Sequence, residues 1–236
     1  MNSINEAMIF AAGFGKRMLP LTKNTPKPLL RINNKSIISY QIERLLELNF
    51  KNILVNGHHL FNKLKDELKI YSPLVKVIYE EEILETGGGL LSLIKKKKFK
   101  DPISPKLLIN GDIFWKRKKN CPIEMIIKNW KKRMHLLLVL KNKCEVLGYK
   151  GKGDFSLENE KKKISRILKN SVNNDYMFTG LQIINPNIIE IERKKFSIRE
   201  VFFESILKKK IYGFVDDNDW YHISNTNDLK KVNDIF

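Results

Sequence analysis

The fold is decided by the stretch Phe10-Ala11-Ala12-Gly13-Phe14-Gly15-Lys16-Arg17-Met18-Leu19-Pro20-Leu21-Thr22 and by Pro26-Lys27-Pro28-Leu29, which follows it closely. The apolar run over residues 7–12 predicts a strand, and two glycines follow it. Glycine allows close backbone approach and positive φ, so the N–H groups around Gly13 and Gly15 can form a concavity that binds an anion. Lys16 and Arg17 add positive charge there, and Lys27 lies on a segment stiffened by two prolines. The stretch therefore predicts a site for the phosphates of a nucleotide.

Two familiar phosphate-binding motifs do not match this stretch. The P-loop needs four residues between its glycines and then Lys-Ser/Thr, whereas one residue separates Gly13 from Gly15. The dinucleotide-binding fingerprint needs a third glycine where the chain has Met18. The pattern that remains is A-A-G-x-G-x-R-x-x-P-x-T-x-x-x-P-K-P-L, starting at Ala11.

Composition favours a globular protein of the cytoplasm without membrane insertion. Hydrophobic residues make up 42% of the 236, which is enough for a substantial core, and no apolar run approaches the length of a membrane span. The first residues lack the basic and apolar regions of a secretion signal. The two cysteines, Cys121 and Cys144, have no metal-like spacing and fit reduced thiols.

The net charge of +18 raises the question of a polyanionic partner. Much of the excess is lysine, in runs at residues 95–98, 116–119, 161–163 and 208–210. These runs lack interleaved aromatic side chains that could stack on bases, so they favour a solvated surface over nucleic-acid binding. An anionic substrate would be attracted in either case.

Strand-like and helix-like runs alternate along the first half of the chain. Strands are predicted over 52–57, 75–79 and 107–110, and helices after Ser36, over 61–68 and over 90–96. This order predicts an α/β fold, namely a three-layer α/β/α sandwich with a mostly parallel, Rossmann-like sheet. Because ligands bind beyond the carboxyl ends of such strands, the glycine loop, Gly87-Gly88-Gly89 and Asp112 are expected to share one pocket.

The second half has a different pattern. Strands are predicted at 136–140 and 145–149 as neighbours, at 155–157, 176–184 and 211–215, with a helix over 201–208 and a last helix capped by Thr226 or Asn227. No internal repeat, linker or six-residue β-helix period is present. We therefore predict a single domain over residues 1–236 without a C-terminal β-helix.

Two motifs follow strands at the expected edge of the sheet. Asn110-Gly111-Asp112 ends an apolar run, and Asp112 is a candidate Mg²⁺ ligand because Mg²⁺ prefers oxygen donors; a turn-forming aspartate is the alternative. Gly87-Gly88-Gly89 is costly inside a helix, at about 1 kcal/mol per glycine relative to alanine. We interpret the triplet as a close backbone approach to the nucleotide, so that Gly88→Val would weaken binding and leave the fold intact; a flexible helix start is the alternative.

Other candidates are weaker. Gly148 and Gly180 lie in strand-like runs, where glycine often marks close backbone approach, here to a sugar with Thr179 as a hydroxyl partner; packing explains them equally well. His58-His59 and Glu80-Glu81-Glu82 are interpreted as solvated loop residues rather than metal ligands, because neighbouring side chains at a strand end point to opposite sides. Asn56 and His58 are expected to border the pocket.

Together these motifs resemble the sugar-1-phosphate nucleotidyltransferase family. Within it, Leu84-Glu85-Thr86-Gly87-Gly88-Gly89 and Val55-Asn56-Gly57-His58-His59-Leu60 look most like the N-acetylmuramate-1-phosphate uridylyltransferases of cell-wall recycling. The resemblance implies a nucleotidyltransferase fold with a nucleotide-binding half over about 1–135 and a sugar-binding half over about 136–236. It also implies a reaction of a nucleoside triphosphate with a sugar 1-phosphate that gives an NDP-sugar and pyrophosphate, with Mg²⁺ as cofactor.

The resemblance assigns roles to individual residues. The catalytic set would be Arg17, Lys27 and Asp112, with Asp112 as metal ligand. The nucleotide would contact Ala11, Ala12, Gly13, Gly15, Lys16, Arg17, Thr86, Gly87 and Gly88. The sugar would contact Asn110, Gly148, Thr179 and Gly180.

The chain departs from the family near its C-terminal end. Members commonly have Trp-x-Asp there, with the aspartate as second metal ligand, whereas this chain has Trp220-Tyr221-His222. Imidazole is a poor Mg²⁺ ligand, so we expect Asp112, phosphate oxygens and water to hold the ion, with His222 nearby as a hydrogen-bond donor. Two alternatives stay open: one of Asp216, Asp217 and Asp219 supplies the second carboxylate, or the site prefers Mn²⁺.

The exact substrates are the least specific part of the prediction. UTP and N-acetylmuramate 1-phosphate are favoured, with mannose-1-phosphate guanylyltransferase or glucose-1-phosphate thymidylyltransferase as alternatives. A non-catalytic nucleotide-sugar-binding protein and a basic nucleic-acid-binding protein are alternatives from other classes. Retention of Arg17, Lys27 and Asp112 together favours the enzyme. The sequence leaves open whether the protein is a monomer or a homo-oligomer.

Overall fold

The structure is a computed structural model that describes residues 4–168 and 174–236. Residues 1–3 of the N-terminal segment considered above lie outside this part of the chain. The strands are β1 (Glu6–Phe10), β2 (Arg31–Ile32), β3 (Lys35–Ser36), β4 (Asn52–Gly57), β5 (Val75–Tyr79), β6 (Lys106–Asn110), β7 (Phe114–Lys116), β8 (Leu136–Asn142), β9 (Ser156–Leu157), β10 (Ile164–Leu168), β11 (Tyr176–Ile184), β12 (Ile211–Val215) and β13 (Asp219–Tyr221). The helices are α1 (Ile37–Glu47), α2 (Phe61–Leu68), α3 (Glu85–Lys95), α4 (Pro122–Asn129), α5 (Ile198–Leu207) and α6 (Thr226–Asn233).

The central sheet has the strand order β5-β4-β1-β6-β11-β8-β12-β10-β9. Four of its pairs are parallel, namely β4–β5, β1–β4, β1–β6 and β8–β12. The pairs made by β11 and β10 are antiparallel. Within the described residues, every strand of this sheet except β10 and β11 therefore runs in one direction, which confirms the mostly parallel sheet.

Helices cover both faces of the sheet. Neighbouring residues of a strand point to opposite faces, and Ile9 and Met8 of β1 accordingly belong to different hydrophobic clusters. Ile9 packs in a cluster with side chains of α1, α2 and α4. Met8 packs in a second cluster with side chains of α3 and α5. This arrangement confirms the three-layer α/β/α sandwich, and the described residues include no β-helix.

A third hydrophobic cluster brings the end of the chain to the glycine loop. Met18, which follows the loop, packs there with Phe114 of β7, Tyr221 of β13 and Val232 of α6. The strands β7 and β13 pair antiparallel outside the central sheet. Because His222 directly follows Tyr221, this packing carries it to the same end of the molecule as the loop.

Several local predictions need correction. Residues 145–149 are not a strand beside 136–140, because the Asn142 side chain accepts a hydrogen bond from the Cys144 N–H and starts a 3-10 turn over Lys143–Glu145. Helix α3 begins at Glu85 and contains the glycine triplet rather than following it. The last helix is capped by Asn225, not by Thr226 or Asn227 as predicted. Strands β2, β3, β7, β10 and β13 and helix α4 were not predicted from the sequence. In the described part of the chain, every helix is too short or too polar to cross a membrane.

Candidate active site

A cavity of about 370 Å³ lies beyond the carboxyl ends of β1, β4, β5 and β6. Parallel strands present these ends at one edge, so residues far apart in the chain meet there. The cavity is lined by Phe10, Ala11, Ala12, Gly13, Gly15, Lys16, Arg17, Met18, Lys27, Pro28, Asn56, Glu80, Ile83, Glu85, Thr86, Asn110 and Asp112. It therefore gathers the whole predicted catalytic set and most of the predicted nucleotide contacts.

The two glycines of the loop differ in their surroundings: packing requires a glycine at position 15, whereas no protein contact requires one at position 13. Gly15 has φ +64, and a Cβ there would lie 3.0 Å from the Thr22 side chain. The Thr22 hydroxyl donates to the Gly15 carbonyl at 2.9 Å, which fixes the turn. A Cβ at Gly13 would meet no protein atom within 4 Å, and the Gly13 N–H has no partner within the described residues. Gly13 is thus free to face a ligand.

Lys27 and Asp112 meet at the cavity wall. The Lys27 Nζ lies 2.6 Å from Asp112 Oδ2, and the two side chains are 12% and 37% exposed. Gly111 makes this possible, because a Cβ there would lie 2.7 Å from the Phe10 carbonyl and 3.2 Å from the Pro28 ring. The close crossing of the two segments therefore requires glycine directly before the acidic residue.

His222 lies within electrostatic reach of the same cations. Burial lowers the pKa of its imidazole, and the charges of Lys27 and Arg17 lower it further, against the opposing effect of Asp228 and Asp112. These effects favour the neutral form of the imidazole. A neutral ring can donate one hydrogen bond and accept another without adding positive charge to the site.

The three aspartates considered as substitutes for His222 are engaged elsewhere. Asp216 is buried and accepts hydrogen bonds from the Trp220 indole N–H and from Asn218. Asp217 pairs with Lys163, and Asp219 pairs with Lys118 at 2.6 Å. None of the three lines the cavity, whereas Asp112 does, so Asp112 is the aspartate best placed for a metal ion.

The donors present suit an ion that shares its ligands with substrate phosphates. Among residues 4–168 and 174–236, no group of three or more His, Cys, Asp or Glu side chains is arranged to hold a metal. Mg²⁺ is commonly bound by one or two carboxylates together with phosphate oxygens and water, and Asp112 can supply the single carboxylate. The residues therefore fit Mg²⁺ carried with a nucleotide, and they do not form an enclosed protein site.

The structure explains Gly87 and Gly88 by packing. Both N–H groups donate to the Phe196 carbonyl, at 3.0 and 3.1 Å. A Cβ at Gly87 would lie 2.2 Å from the Phe196 ring, and one at Gly88 would lie 2.1 Å from the Lys194 carbonyl. Neither residue lines the cavity, whereas the preceding Thr86 does. The prediction that Gly88→Val leaves the fold intact is therefore wrong, and the close approach that requires glycine is to the chain itself.

Of the four predicted sugar contacts, only Asn110 is part of the cavity lining. Asn110 lines the cavity, and a Cβ at Gly180 would lie 2.8 Å from the Asn110 amide nitrogen. Thr179 is 3% exposed, and its hydroxyl donates to the Val139 carbonyl at 2.9 Å. Gly148 has φ +82 and faces the His222 carbonyl. Packing thus accounts for Gly148 and Gly180, and the Thr179 hydroxyl is already engaged.

Glu80 and Glu85 are cavity residues that the sequence analysis missed. Glu80 is 7% exposed, not solvated as predicted, and its Oε1 accepts from the Asn56 amide at 2.7 Å. Burial raises the pKa of Glu80, although the Asn56 hydrogen bond and the nearby Leu84 backbone N–H oppose the shift. Asn56 lines the cavity as expected, whereas His58 is not part of the lining, and its ring contacts the Glu80 carbonyl instead. The sequence signal that could have indicated Glu80 was Asn56, a polar residue at the end of the apolar strand β4 that needs a buried hydrogen-bond partner.

Comparison with known proteins agrees with this geometry. The model of the nucleotidyl transferase family matches residues 6–235, and the chain belongs to that family. It is 26% identical to N-acetylmuramate alpha-1-phosphate uridylyltransferase of Caulobacter vibrioides, over 92% of this chain and 90% of that protein. It is also 26% identical to the mannose-1-phosphate guanylyltransferase catalytic subunit beta of Drosophila pseudoobscura pseudoobscura, over 94% of this chain but 60% of that protein.

Solved structures share the fold. A UDP-glucose pyrophosphorylase complexed with UDP-glucose superposes with a TM-score of 0.79, at 16% identity, over 99% of this chain and 98% of that one. The three-layer sandwich is therefore a fold that nucleotidyltransferases use.

The packing of Gly88 leads to a stability prediction. Gly88→Ala should lower the free energy of unfolding by about 1–3 kcal/mol, because the new methyl group overpacks against the Lys194 carbonyl. Urea unfolding followed by circular dichroism measures the change. Gly13→Ala is the matched control, since a methyl group there meets no protein atom within 4 Å. Equal stability of the two variants would contradict the packing explanation.

Proposed function

We propose that the protein transfers uridine monophosphate from UTP to N-acetylmuramate 1-phosphate, giving UDP-N-acetylmuramate and pyrophosphate. The observation that carries this proposal is the joint placement of Arg17, Lys27 and Asp112 around the glycine loop in one cavity. The similarity to a uridylyltransferase over 90% of that protein's length supports the choice of substrates. With these substrates, we further propose a place in the cytoplasmic recycling of peptidoglycan, as the resemblance of the sequence motifs implies.

The chemistry needs positioning and charge compensation more than it needs a base. A sugar phosphate is already an anion at neutral pH, so one of its oxygens can attack the α-phosphorus of the triphosphate directly. The bond from the α-phosphorus to the oxygen bridging to the β-phosphate breaks, and pyrophosphate leaves with the electron pair. The main obstacle is repulsion between two anions, and fixed cations lower that barrier.

Each cation has a defined task in this proposal. Arg17 neutralises the triphosphate beside the glycine loop. Lys27 exchanges Asp112 for a phosphate oxygen and holds the attacking sugar phosphate next to the α-phosphate. A bound Mg²⁺ would supply further charge stabilisation on the phosphates, with Asp112 as its protein ligand. His222 is proposed to donate a hydrogen bond to phosphate or water.

The other end of the cavity suits a nucleoside. Glu80 and Glu85 line it together with Asn56 and Thr86. A carboxylate accepts from an imino N–H, a group that uracil, thymine and guanine carry and that cytosine and adenine lack. This end therefore favours UTP, dTTP or GTP. We assign nucleotide binding to about residues 1–135 and sugar binding to about residues 136–236.

Guanylyl transfer to mannose 1-phosphate is the second candidate. The similarity to a mannose-1-phosphate guanylyltransferase subunit over 94% of this chain favours it. The Glu80 carboxylate can also accept a hydrogen bond from the imino N–H of guanine as readily as from that of uracil. The chain spans 60% of that relative, which limits what the similarity says about substrates.

Pyrophosphate release decides between the candidates. Five triphosphates, UTP, dTTP, GTP, CTP and ATP, are paired with N-acetylmuramate, mannose and glucose 1-phosphates, with Asp112→Ala as the inactive control. We expect the highest kcat/KM with UTP and N-acetylmuramate 1-phosphate. A maximum with GTP and mannose 1-phosphate would replace the first candidate by the second. No release with any pair would favour a non-catalytic nucleotide-sugar-binding protein.

The cations Lys27 and Arg17 provide a mutational test. Lys27→Ala and Arg17→Ala should each lower kcat by roughly 10²-fold or more, because each removes a charge where electrostatic stabilisation dominates. The melting temperature should change little. Lys23→Ala, on the exposed turn beside the loop, is the matched control and should keep normal turnover. Near-normal kinetics in both the Lys27→Ala and the Arg17→Ala variant would refute the assignment of these two cations to the phosphates.

His222 provides a test of the metal site. His222→Asp should lower the Mg²⁺ concentration at half-maximal rate, because a second carboxylate adds a hard oxygen ligand. Mn²⁺ binding measured by electron paramagnetic resonance should tighten in parallel, independently of turnover. Loss of activity with the fold retained would show that the imidazole itself has a role a carboxylate cannot fill.

A further inference from the structure

A chain of buried hydrogen bonds links the two ends of the cavity. The Ala11 N–H, at the start of the glycine loop, donates to Asn56 Oδ1 at 2.9 Å. Asn56 Nδ2 in turn donates to Glu80 Oε1 at 2.7 Å. Asn56 stands at the carboxyl end of β4, which pairs with β1 on one side and β5 on the other. One amide therefore bridges three adjacent strands at the edge where the cavity lies.

The orientation of the Asn56 amide is fixed by its neighbours. A backbone N–H can only donate, so the atom facing Ala11 must be the amide oxygen. The amide nitrogen then necessarily faces Glu80. Asn56 is 2% exposed, which leaves water little access to replace either bond. Because both ends of the amide are committed, a shift of Glu80 is transmitted to Asn56 and from there to Ala11.

The third glycine of the triplet makes room for this chain. A Cβ at Gly89 would lie 2.8 Å from Glu80 Oε1 and 3.1 Å from Asn56 Nδ2. The other carboxyl oxygen, Glu80 Oε2, is buried and has no hydrogen-bond partner within the described residues. A buried acceptor without a partner is costly, so a ligand that donates to it is stabilised. Glu80 is thus anchored on one oxygen, while the capacity of the other to accept a hydrogen bond is unused within the described residues.

We propose that Asn56 is a positioning residue that couples the nucleoside end of the cavity to the phosphate-binding loop. A ligand that donates to Glu80 Oε2 holds Glu80 in place, Asn56 passes this on to Ala11, and the loop is fixed for the phosphates. The proposal rests on the proposed function in naming the two ends nucleoside and phosphate. Its consequence is that removing Asn56 weakens binding of a ligand that has phosphates but no base.

The chain contains its own control for this proposal. Asn52 lies on the same strand β4, is 1% exposed, and donates through Nδ2 to Glu6 Oε1 at 2.7 Å. The Asn52–Glu6 pair thus matches the Asn56–Glu80 pair in chemistry, length and burial. Asn52 is not part of the cavity lining, because it stands at the opposite end of the strand. A change at Asn52 therefore reports the purely structural cost of losing such a bond.

The test measures the affinity of each variant for two kinds of ligand by isothermal titration calorimetry in 0.15 M salt. Inorganic tripolyphosphate with Mg²⁺ has phosphates only, and UTP or GTP with Mg²⁺ adds the nucleoside. The variants are Asn56→Leu, Glu80→Leu and Asn52→Leu, each checked by its melting temperature. Asn56→Ala replaces Asn56→Leu if the leucine variant does not fold.

The expected pattern separates positioning from support. Asn56→Leu should weaken both ligands by about tenfold, since a buried hydrogen bond is lost at each end of the amide. Glu80→Leu should weaken the triphosphate by at least a similar factor and weaken tripolyphosphate by less than Asn56→Leu does, because Asn56 then keeps its bond to Ala11 but loses its anchor at Glu80. Asn52→Leu should lower the melting temperature and change neither affinity.

Two results would overturn the proposal. Unchanged tripolyphosphate affinity in the Asn56 variant would show that Asn56 only supports Glu80. Absence of tripolyphosphate binding by wild type would show that the loop binds no phosphate to be positioned. If wild type binds tripolyphosphate but no nucleoside triphosphate, the proposed function fails, while the comparison of Asn56→Leu with Asn52→Leu still decides the role of Asn56.

Discussion

The contact between Lys27 and Asp112 is the constraint around which the cavity is built. It joins two segments 85 residues apart and places a cation and an anion 2.6 Å from each other. The prolines beside Lys27 and the glycine before Asp112 keep the segments close enough for it. Each charge has the other as its partner in the ligand-free protein. A phosphate and a divalent ion together can replace both partners, whereas either alone would leave one charge without its partner.

The two buried Asn–Glu pairs of β4 show how surroundings set the state of a carboxyl group. Burial would raise the pKa of Glu6, but hydrogen bonds from Asn52, the Lys100 and Asp101 backbone and Lys106 outweigh it and lower the pKa. Glu80 has fewer donors, so burial prevails and its pKa is raised. The same pair of residue types thus gives a firmly ionised structural carboxylate at one end of the strand. At the other end it gives a carboxyl group with an oxygen still available.

Glycine is needed at different positions of the chain for different physical reasons. Gly87 and Gly88 allow α3 to pack against the segment around Phe196, and Gly89 makes room for Asn56 and Glu80. A Cβ at Gly13 would meet no protein atom within 4 Å, and Gly13 lines the cavity. A glycine-rich motif near a binding site is therefore not uniformly a ligand-binding motif. Only the packing around each glycine distinguishes the two roles.

The sequence by itself determined the fold class, the glycine loop and the catalytic candidates, because these depend on local information. Alternating apolar runs specify strands and helices, and Gly13, Gly15 and Arg17 lie within one short stretch. Asp112 could be predicted since a polar residue after a buried strand falls at the ligand-binding edge.

Only the tertiary structure decided which of these residues share the cavity and which pack against the chain. It placed Asn56 and Glu80 in a buried bridge, engaged the Thr179 hydroxyl with the Val139 carbonyl, and paired the three aspartates near His222 with other residues. Such outcomes depend on contacts between residues far apart in the chain. Residue type and spacing do not encode these contacts locally, because burial and partner choice are set by the packing of the whole sheet and its helices.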